Sequence, residues 1–442
     1  MENKNLKTMK RLLISILTLA FIAPLYAQSY TPSEGNLKAR KEFADSKFGI
    51  FLHWGLYSTF AQGEWYLHKG RLSHAEYKKA AEAFYPHKFD AKAWVSAIKD
   101  SGAKYICLTS RHHEGFSMWD TKHSEYDIVD ATPFKRDVIK ELSRECHRQG
   151  LKLHLYYSHA DWSRDDYPVG YSARNVTNKD HIEGGWENYY NFMNSQLTEL
   201  LTKYKISALW FDGVWDHSRD KTPFDWRLDE QYALIHKLQP DCLVGNNHHR
   251  PAIEGEDFQI FERDLPGENK AGYSKGQTVS NNLPLETCQT MNKSWGYNVK
   301  DQNYKSTEYL IRYLVSIASK GANLLLNIGP QPNGELPATA LARLKEIGAW
   351  MRKYGDTIYG TTAGDIPTQA WGTTTRKGER LFVHIFNLKE KELQLPLACK
   401  VVKAQKFDDK SDIAFIKSES GVTLKFDSAP SGIDYIVELI TE

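Results

Sequence analysis

The sequence predicts a (β/α)8-like barrel followed by a small β-sandwich. Three observations carry this expectation. Short apolar runs rich in strand formers recur eight times, amphipathic helical stretches separate several of them, and after residue 359 the helices give way to short strands divided by turn residues. Strands that are apolar almost throughout belong to a parallel sheet covered on both faces. At 442 residues the chain exceeds one ordinary core and suits a barrel with a second domain. An open doubly wound sheet is the competing arrangement.

The elements follow in order. Residues 1–27 carry Lys4, Lys7, Lys10 and Arg11, then the apolar run Leu12 to Ala23, then Leu25-Tyr26-Ala27. A basic region, a short hydrophobic region and a small residue at its exit read as a secretory signal peptide, so an exported protein, periplasmic or extracellular, is expected. The run is short for a membrane-spanning helix. Residues 28–359 hold the barrel. Phe48 to Gly55 reads as its first strand, Ala91 to Asp100 as a helix stopped by Gly102, and Lys104 to Thr109 as the second strand. Asp137 to Gln149 is helical with Gly150 as its stop, and Leu151 to Tyr157 is the third strand. A helix from about Glu187 to Tyr204 leads to the fourth, Ala208 to Asp212, which ends abruptly in a carboxylate and Gly213. Further strands are expected at Cys242 to Asn246, Phe258 to Glu262, Leu285 to Thr287 and Ala322 to Ile328. Helices are expected at Thr307 to Ser319 and Ala338 to Tyr354, and none is evident between the fifth, sixth and seventh strands. Residues 360–442 form the β-sandwich, with strands at Leu381 to Phe386, Lys400 to Ala404, Val422 to Phe426 and Tyr435 to Leu439.

Composition narrows the chemistry. Lys plus Arg number 57 against 55 for Asp plus Glu, which argues against nucleic acid and points to an uncharged partner. The 12 Trp and 24 Tyr are generous, and flat aromatic faces are what sugar rings stack on. Five cysteines without CxxC spacing indicate neither a disulfide framework nor a zinc site. No nucleotide-binding glycine loop is present, and no cofactor is expected.

A barrel of this type does its chemistry at the C-terminal ends of its strands. There the sequence collects His53, Glu64 and Trp65, His112 and His113, Tyr156, Trp210 and Asp212, Asn246, Glu262 and Glu286. No strand-end lysine offers a Schiff base and no Ser-His-Asp set stands out. Two carboxyl groups with histidines and aromatic walls suit glycoside hydrolysis, one acid protonating the leaving oxygen while the other attacks or activates water. His112-His113 with His248-His249 offer candidate metal ligands, but neighbouring histidines on a strand point to opposite faces, and no metal is expected.

The motifs Phe48-Gly49-Ile50-Phe51-Leu52-His53-Trp54-Gly55, Glu64-Trp65-Tyr66, Arg111-His112-His113-Glu114-Gly115-Phe116, Tyr156-Tyr157-Ser158 with Asp161-Trp162, and Leu209-Trp210-Phe211-Asp212 resemble, in order, those of the α-L-fucosidases of glycoside hydrolase family 29. The resemblance implies a retaining exo-glycosidase that removes terminal fucose from a fucosylated oligosaccharide or glycoconjugate, with Asp212 as nucleophile. It further implies that His53, Glu64, His112, His113 and Tyr156 hold fucose hydroxyls, and that Trp65 and Trp210 face its apolar side. For the acid/base it favours Glu286, in Leu283-Pro284-Leu285-Glu286-Thr287-Cys288, with Glu262 as the alternative. Where many relatives carry an arginine after the fifth strand, this chain reads Asn246-Asn247-His248-His249-Arg250, leaving His248 or Arg250 for that place. A glycosidase for a related sugar such as galactose, and a non-catalytic fucose-binding protein, are the rival readings.

Overall fold

The computed structural model describes residues 30–70, 72–172, 176 and 185–442. The expected signal peptide, 1–27, lies outside the described residues. The eight apolar runs are strands: β1 Phe48–Leu52, β2 Tyr105–Arg111, β3 Lys152–Ser158, β4 Ala208–Asp212, β5 Leu243–Asn246, β6 Gln259–Glu262, β7 Leu285–Thr290 and β8 Asn323–Ile328. They form one sheet in the order β5-β4-β3-β2-β1-β8-β7-β6. Its paired strands run parallel, and β8 returns beside β1. Strand order never reverses about a switch point, so the doubly wound alternative is excluded.

The barrel has one seam. β5 and β6, at the two ends of the order, form no ladder. Asp257 stitches them: its N–H donates to the Val244 carbonyl at 2.7 Å, and its Oδ2 accepts from the Val244 N–H at 2.7 Å. Its Oδ1 meets the Arg40 guanidinium at 2.6 Å. A buried carboxylate thus supplies acceptors that a neighbouring strand would otherwise provide. The helix Glu34–Ser46, which carries Arg40, turns Phe43 onto Tyr105 and Phe258 with ring centroids 5.4 and 4.8 Å apart, plugging the N-terminal end of the barrel.

Helices Ala91–Asp100, Val138–Gln149, Gly185–Lys203, Thr307–Ala318 and Ala338–Tyr354 stand where the periodicity put them. Asp90 and Asp137 cap two of them by accepting the N–H of Ala93 and Lys140 at 3.0 and 2.8 Å. One further barrel helix, Leu228–Leu238, was not read from the sequence. Its N-cap is Arg227, left-handed at φ 51° and without a capping side chain, so the usual start signal is absent. Among the described residues no helix separates β5 from β6 or β6 from β7, in line with the missing pattern.

Beyond residue 359 two antiparallel sheets pack together. One holds β9 Thr362–Ala363, β10 Gly372–Lys377, β11 Arg380–Ile385, β13 Val401–Lys406 and β16 Tyr435–Thr441; the other holds β12 Glu392–Leu395, β14 Ala414–Ser418 and β15 Gly421–Lys425. Leu381, Val383, Leu395, Leu424, Val437 and Leu439 belong to a hydrophobic core separate from the barrel's. Arg312, on helix Thr307–Ala318, ties the two together by donating to the carbonyls of Phe386 and Ile433 at 2.9 and 2.8 Å. All five cysteines are free. Among the described residues no helix is long and apolar enough to cross a membrane.

Candidate active site

Side chains alternate along a strand, so the three residues Ala208, Trp210 and Asp212 of β4 share a face. Ala208 and Trp210 join Phe51, Tyr156, Ile260, Cys288 and Leu325 in the barrel interior. Asp212 ends that row at the rim and is held by three donors. Its Oδ1 accepts the Gly213 N–H and the Trp215 Nε1–H, each at 2.8 Å, and its Oδ2 accepts the Tyr156 hydroxyl at 3.0 Å. Gly213 makes the turn possible at φ 94°, where a β-carbon would also stand 2.6 Å from the Ala160 nitrogen. Burial raises the Asp212 carboxyl above its ordinary value, and the Trp215 and Gly213 hydrogen bonds act against this.

Register separates the two glutamates. Glu262 pairs with Cys288, whereas Glu286 pairs with Ile260 on one side and Asn323 on the other. Glu262 is therefore at the top of β6, and Glu286 sits two residues lower, about 7 Å down the strand at 3.3 Å per residue. The expectation that Glu286 stands at a strand end is corrected: β7 runs on to Thr290, so Glu286 is near its start. Its side chain is fully buried, with Oε1 accepting the Trp210 Nε1–H at 2.8 Å and Oε2 accepting the Tyr105 hydroxyl at 2.6 Å.

Glu262 and Asp212 both reach a cavity of about 640 Å³ at the C-terminal end of the barrel, and Glu286 does not. Their side chains keep 14% and 13% exposure, enough for a bound molecule to touch them. The Glu262 Oε2 accepts the Asn247 Nδ2–H at 3.0 Å. Burial first, and then the Asp212 charge, push the Glu262 carboxyl up to about 7. With three donors on it Asp212 ionises first, and its charge helps to keep the proton on Glu262. One carboxylate and one carboxylic acid thus face the same space near neutral pH, the pairing needed by a nucleophile and a general acid.

His53, Glu64, Trp65, His112, His113, Tyr156 and Trp210 all line this cavity. The strand argument against a shared His112-His113 site is corrected, because β2 ends at Arg111 and both rings lie beyond it, 4.2 Å apart and both on the cavity. Even so, no group of three or more His, Cys, Asp or Glu is arranged for a metal among the described residues.

Buried partners fix the tautomers of His53 and His113. Asn327 donates its Nδ2–H to the Trp295 carbonyl, so its Oδ1, 2.7 Å from His53 Nδ1, accepts. Ser158 donates its hydroxyl to the Ala160 carbonyl, so its Oγ, 2.6 Å from His113 Nδ1, accepts too. His112 Nδ1 faces the Glu114 carboxylate at 3.2 Å. The rings of His53 and His113 are therefore protonated at Nδ1, and their Nε2 atoms are left as acceptors. Burial holds His53 and His113 well below the ordinary histidine value, which keeps them neutral. His113 Nε2 and Asp212 Oδ2 are 3.7 Å apart, two acceptors that call for a donor on the ligand. Glu64 Oε2 accepts the Gly296 N–H at 2.8 Å.

His248 does not reach the cavity. Its Nε2 is 2.8 Å from Glu256 Oε1 and its Nδ1 accepts the Arg250 N–H at 3.0 Å, which spends both nitrogens on the loop itself. Arg250 is likewise absent from the lining, and His249 takes the place at φ 60°, stacked on Tyr273 at 5.6 Å. Sequence reasoning also missed Trp215, Trp295, Asn247 and Arg263. Trp215 stacks on Trp65 at 5.7 Å, and the Arg263 guanidinium lies 5.0 Å over Trp295. Trp215, three residues past Asp212, was open to a local reading; the others sit on loops with no pattern to mark them.

Comparison with known proteins agrees with this geometry. The family model described as alpha-L-fucosidase matches residues 18–356. Plasma alpha-L-fucosidase of Rattus norvegicus is 30% identical across 97% of this chain and 94% of its own length. The solved structure of alpha-L-fucosidase isoenzyme 1 from Paenibacillus thiaminolyticus aligns with TM-score 0.81 at 33% identity, covering 92% of this chain and 100% of that one. A family 29 alpha-L-fucosidase from Bacteroides thetaiotaomicron, solved as a trapped covalent intermediate, aligns with TM-score 0.78 at 26% identity, covering 94% of this chain and 98% of that one. Sequence motifs, barrel and cavity converge with these matches, and the chain belongs to the α-L-fucosidases of glycoside hydrolase family 29.

Proposed function

We propose that this protein is an exported, exo-acting retaining α-L-fucosidase that removes terminal fucose from glycans, with Asp212 as nucleophile and Glu262, rather than Glu286, as acid/base. The observation that carries the reading is the shared cavity of a triply hydrogen-bonded Asp212 and a Glu262 carboxyl pushed up to about 7. Asp212 Oδ1 is committed to two donors, so Oδ2, with only Tyr156 on it, attacks the anomeric carbon. Glu262 gives its proton to the departing oxygen as the glycosyl ester forms on Asp212. The Glu262 carboxylate then takes a proton from water, whose oxygen attacks the anomeric carbon; the ester breaks and both groups return to their starting states.

The remaining residues serve recognition. The Nε2 atoms of His53 and His113, together with Glu64, present acceptors to sugar hydroxyls, with His112 polar beside them, and a sugar lacking one of these hydroxyls leaves a buried acceptor unpaired. Phe51, Trp210, Trp295 and Cys288 form an apolar wall suited to the C6 methyl of a 6-deoxy sugar, which favours fucose over galactose. His249, Tyr273 and Arg263, beside Glu262, lie where the leaving group departs. Export rests on the basic and apolar pattern of residues 1–27.

The test is hydrolysis of aryl α-L-fucosides and of the corresponding aryl galactosides, with the first-formed anomer followed by NMR. Fucoside turnover giving the α-anomer first is the expected outcome. Preference for the galactoside moves the sugar assignment. Initial β-anomer removes the covalent mechanism, and binding of fucose without turnover makes the protein a lectin-like relative.

A further inference from the structure

Glu286 remains to be explained. It is an acid in the interior of the barrel, with no cation among its hydrogen-bonding partners and no access to the cavity. A buried ionisable group without a counter-charge is costly, and burial pushes its carboxyl up to about 7. Its neighbours show what it does. The Trp210 indole N–H is a donor with no acceptor capacity, and it must find an acceptor when buried. Glu286 Oε1 is that acceptor at 2.8 Å, while Oε2 is held from the other side by the Tyr105 hydroxyl at 2.6 Å. Trp210 in turn lines the cavity and stacks on Tyr156 at 5.5 Å with 25° between planes, and Tyr156 donates to Asp212 Oδ2. The carboxyl is therefore one layer beneath the sugar-binding floor, fixing the tilt of the indole that forms it.

We infer that Glu286 is a positioning residue of the fucose subsite, clamped by Tyr105 and holding the Trp210 indole against Tyr156 so that the sugar's apolar face and Asp212 meet in register. This rests on the fucosidase reading above. The role needs an acceptor at Oε1 and no proton transfer. A glutamine retains an acceptor for the indole and can donate its amide N–H to the Tyr105 oxygen, whereas leucine offers neither.

The experiment compares wild type, Glu286→Gln, Glu286→Leu and Trp210→Phe on two aryl α-L-fucosides, one with a good and one with a poor leaving group. A fucose-configured iminosugar provides a separate Kd, and thermal melting is followed throughout. Wild-type turnover tests the fucosidase reading by itself; ratios among the variants test the positioning role. Glu286→Gln is expected to stay within about threefold of wild type. Glu286→Leu and Trp210→Phe are each expected to raise KM and inhibitor Kd about tenfold or more, by the same factor on both substrates. Combining the two is expected to add little, since they break the same bond. A Glu286→Gln defect that grows as the leaving group worsens, and that azide relieves, would make Glu286 the acid/base and overturn the inference. Loss of melting temperature in Glu286→Leu with KM and Kd unchanged would overturn it as well. Should Glu286→Leu fail to fold, Tyr105→Phe, which keeps the ring and loses only the hydroxyl on Glu286 Oε2, decides instead: a rise in KM and Kd bears the inference out, and unchanged values overturn it.

Discussion

Asp212 and Glu262 are both carboxylic acids at strand ends, and their environments bias them toward opposite charge states. Three donors stabilise charge on Asp212, whereas Glu262 has the Asn247 amide and a neighbouring negative charge. The sign of the pH dependence follows. Glu262 must be protonated to act as the acid, so kcat/KM falls as pH rises through about 7; Asp212 must be ionised, so kcat/KM also falls on the acid side, at a pH above the ordinary aspartate value. Glu262→Gln is expected to abolish the alkaline limb. It should lower kcat/KM by roughly 10² to 10⁴ on a fucoside with a poor leaving group and much less on an activated one. A pH series on both substrates checks this. Asp212 was legible because an acid followed by glycine ends an apolar run; Glu286 stands lower than expected because composition shows where this strand starts and not where it ends. The polar Thr287, Gln289 and Thr290 hide the true end of β7 from a hydrophobicity reading.

Among the elements, the β4 turn and the β5–β6 seam determine where the two acids stand. Gly213 supplies both a left-handed turn and one of the Asp212 donors. Gly213→Ala puts a β-carbon 2.6 Å from the Ala160 nitrogen, which shifts the turn and the nucleophile with it. A kcat loss of roughly 100-fold is expected, with a smaller change in KM, measured by steady-state kinetics. Asp257 holds β5 to β6 through Val244 and carries Arg40 besides. Asp257→Ala takes the carboxylate from that guanidinium, which keeps Asn36 Oδ1 and the Glu256 carbonyl, and from the Val244 N–H, and a loss of about 3 to 5 kcal/mol is expected in chemical denaturation. The seam was partly visible as the absence of helical periodicity between the fifth, sixth and seventh strands. His249 in place of His248 was not visible, since past the end of a strand the period-2 rule stops and a left-handed residue decides which neighbour turns inward.

At the scale of the whole molecule, the barrel and the β-sandwich were both legible from periodicity, because period changes where architecture changes. The helix Leu228–Leu238 and strands such as Gly372–Lys377 were not, the first lacking a cap and the second being a threonine-rich run with little apolar content. Arg312, which does not line the cavity, joins the sandwich to the barrel through carbonyls of Phe386, Gly432 and Ile433. Arg312→Ala is expected to cost about 1 to 3 kcal/mol in thermal unfolding and to leave kcat and KM on an aryl fucoside unchanged, the signature of a bracing role.

A covalent fucosyl ester on Asp212 is the intermediate expected of the retaining reaction, and it can be trapped. The protein is incubated with a 2-fluoro-fucosyl fluoride, digested and mapped by mass spectrometry. One fucosyl adduct on the peptide carrying Asp212, absent from Asp212→Ala, is the expected result; an adduct on another carboxylate, or undiminished turnover by Asp212→Ala, contradicts it.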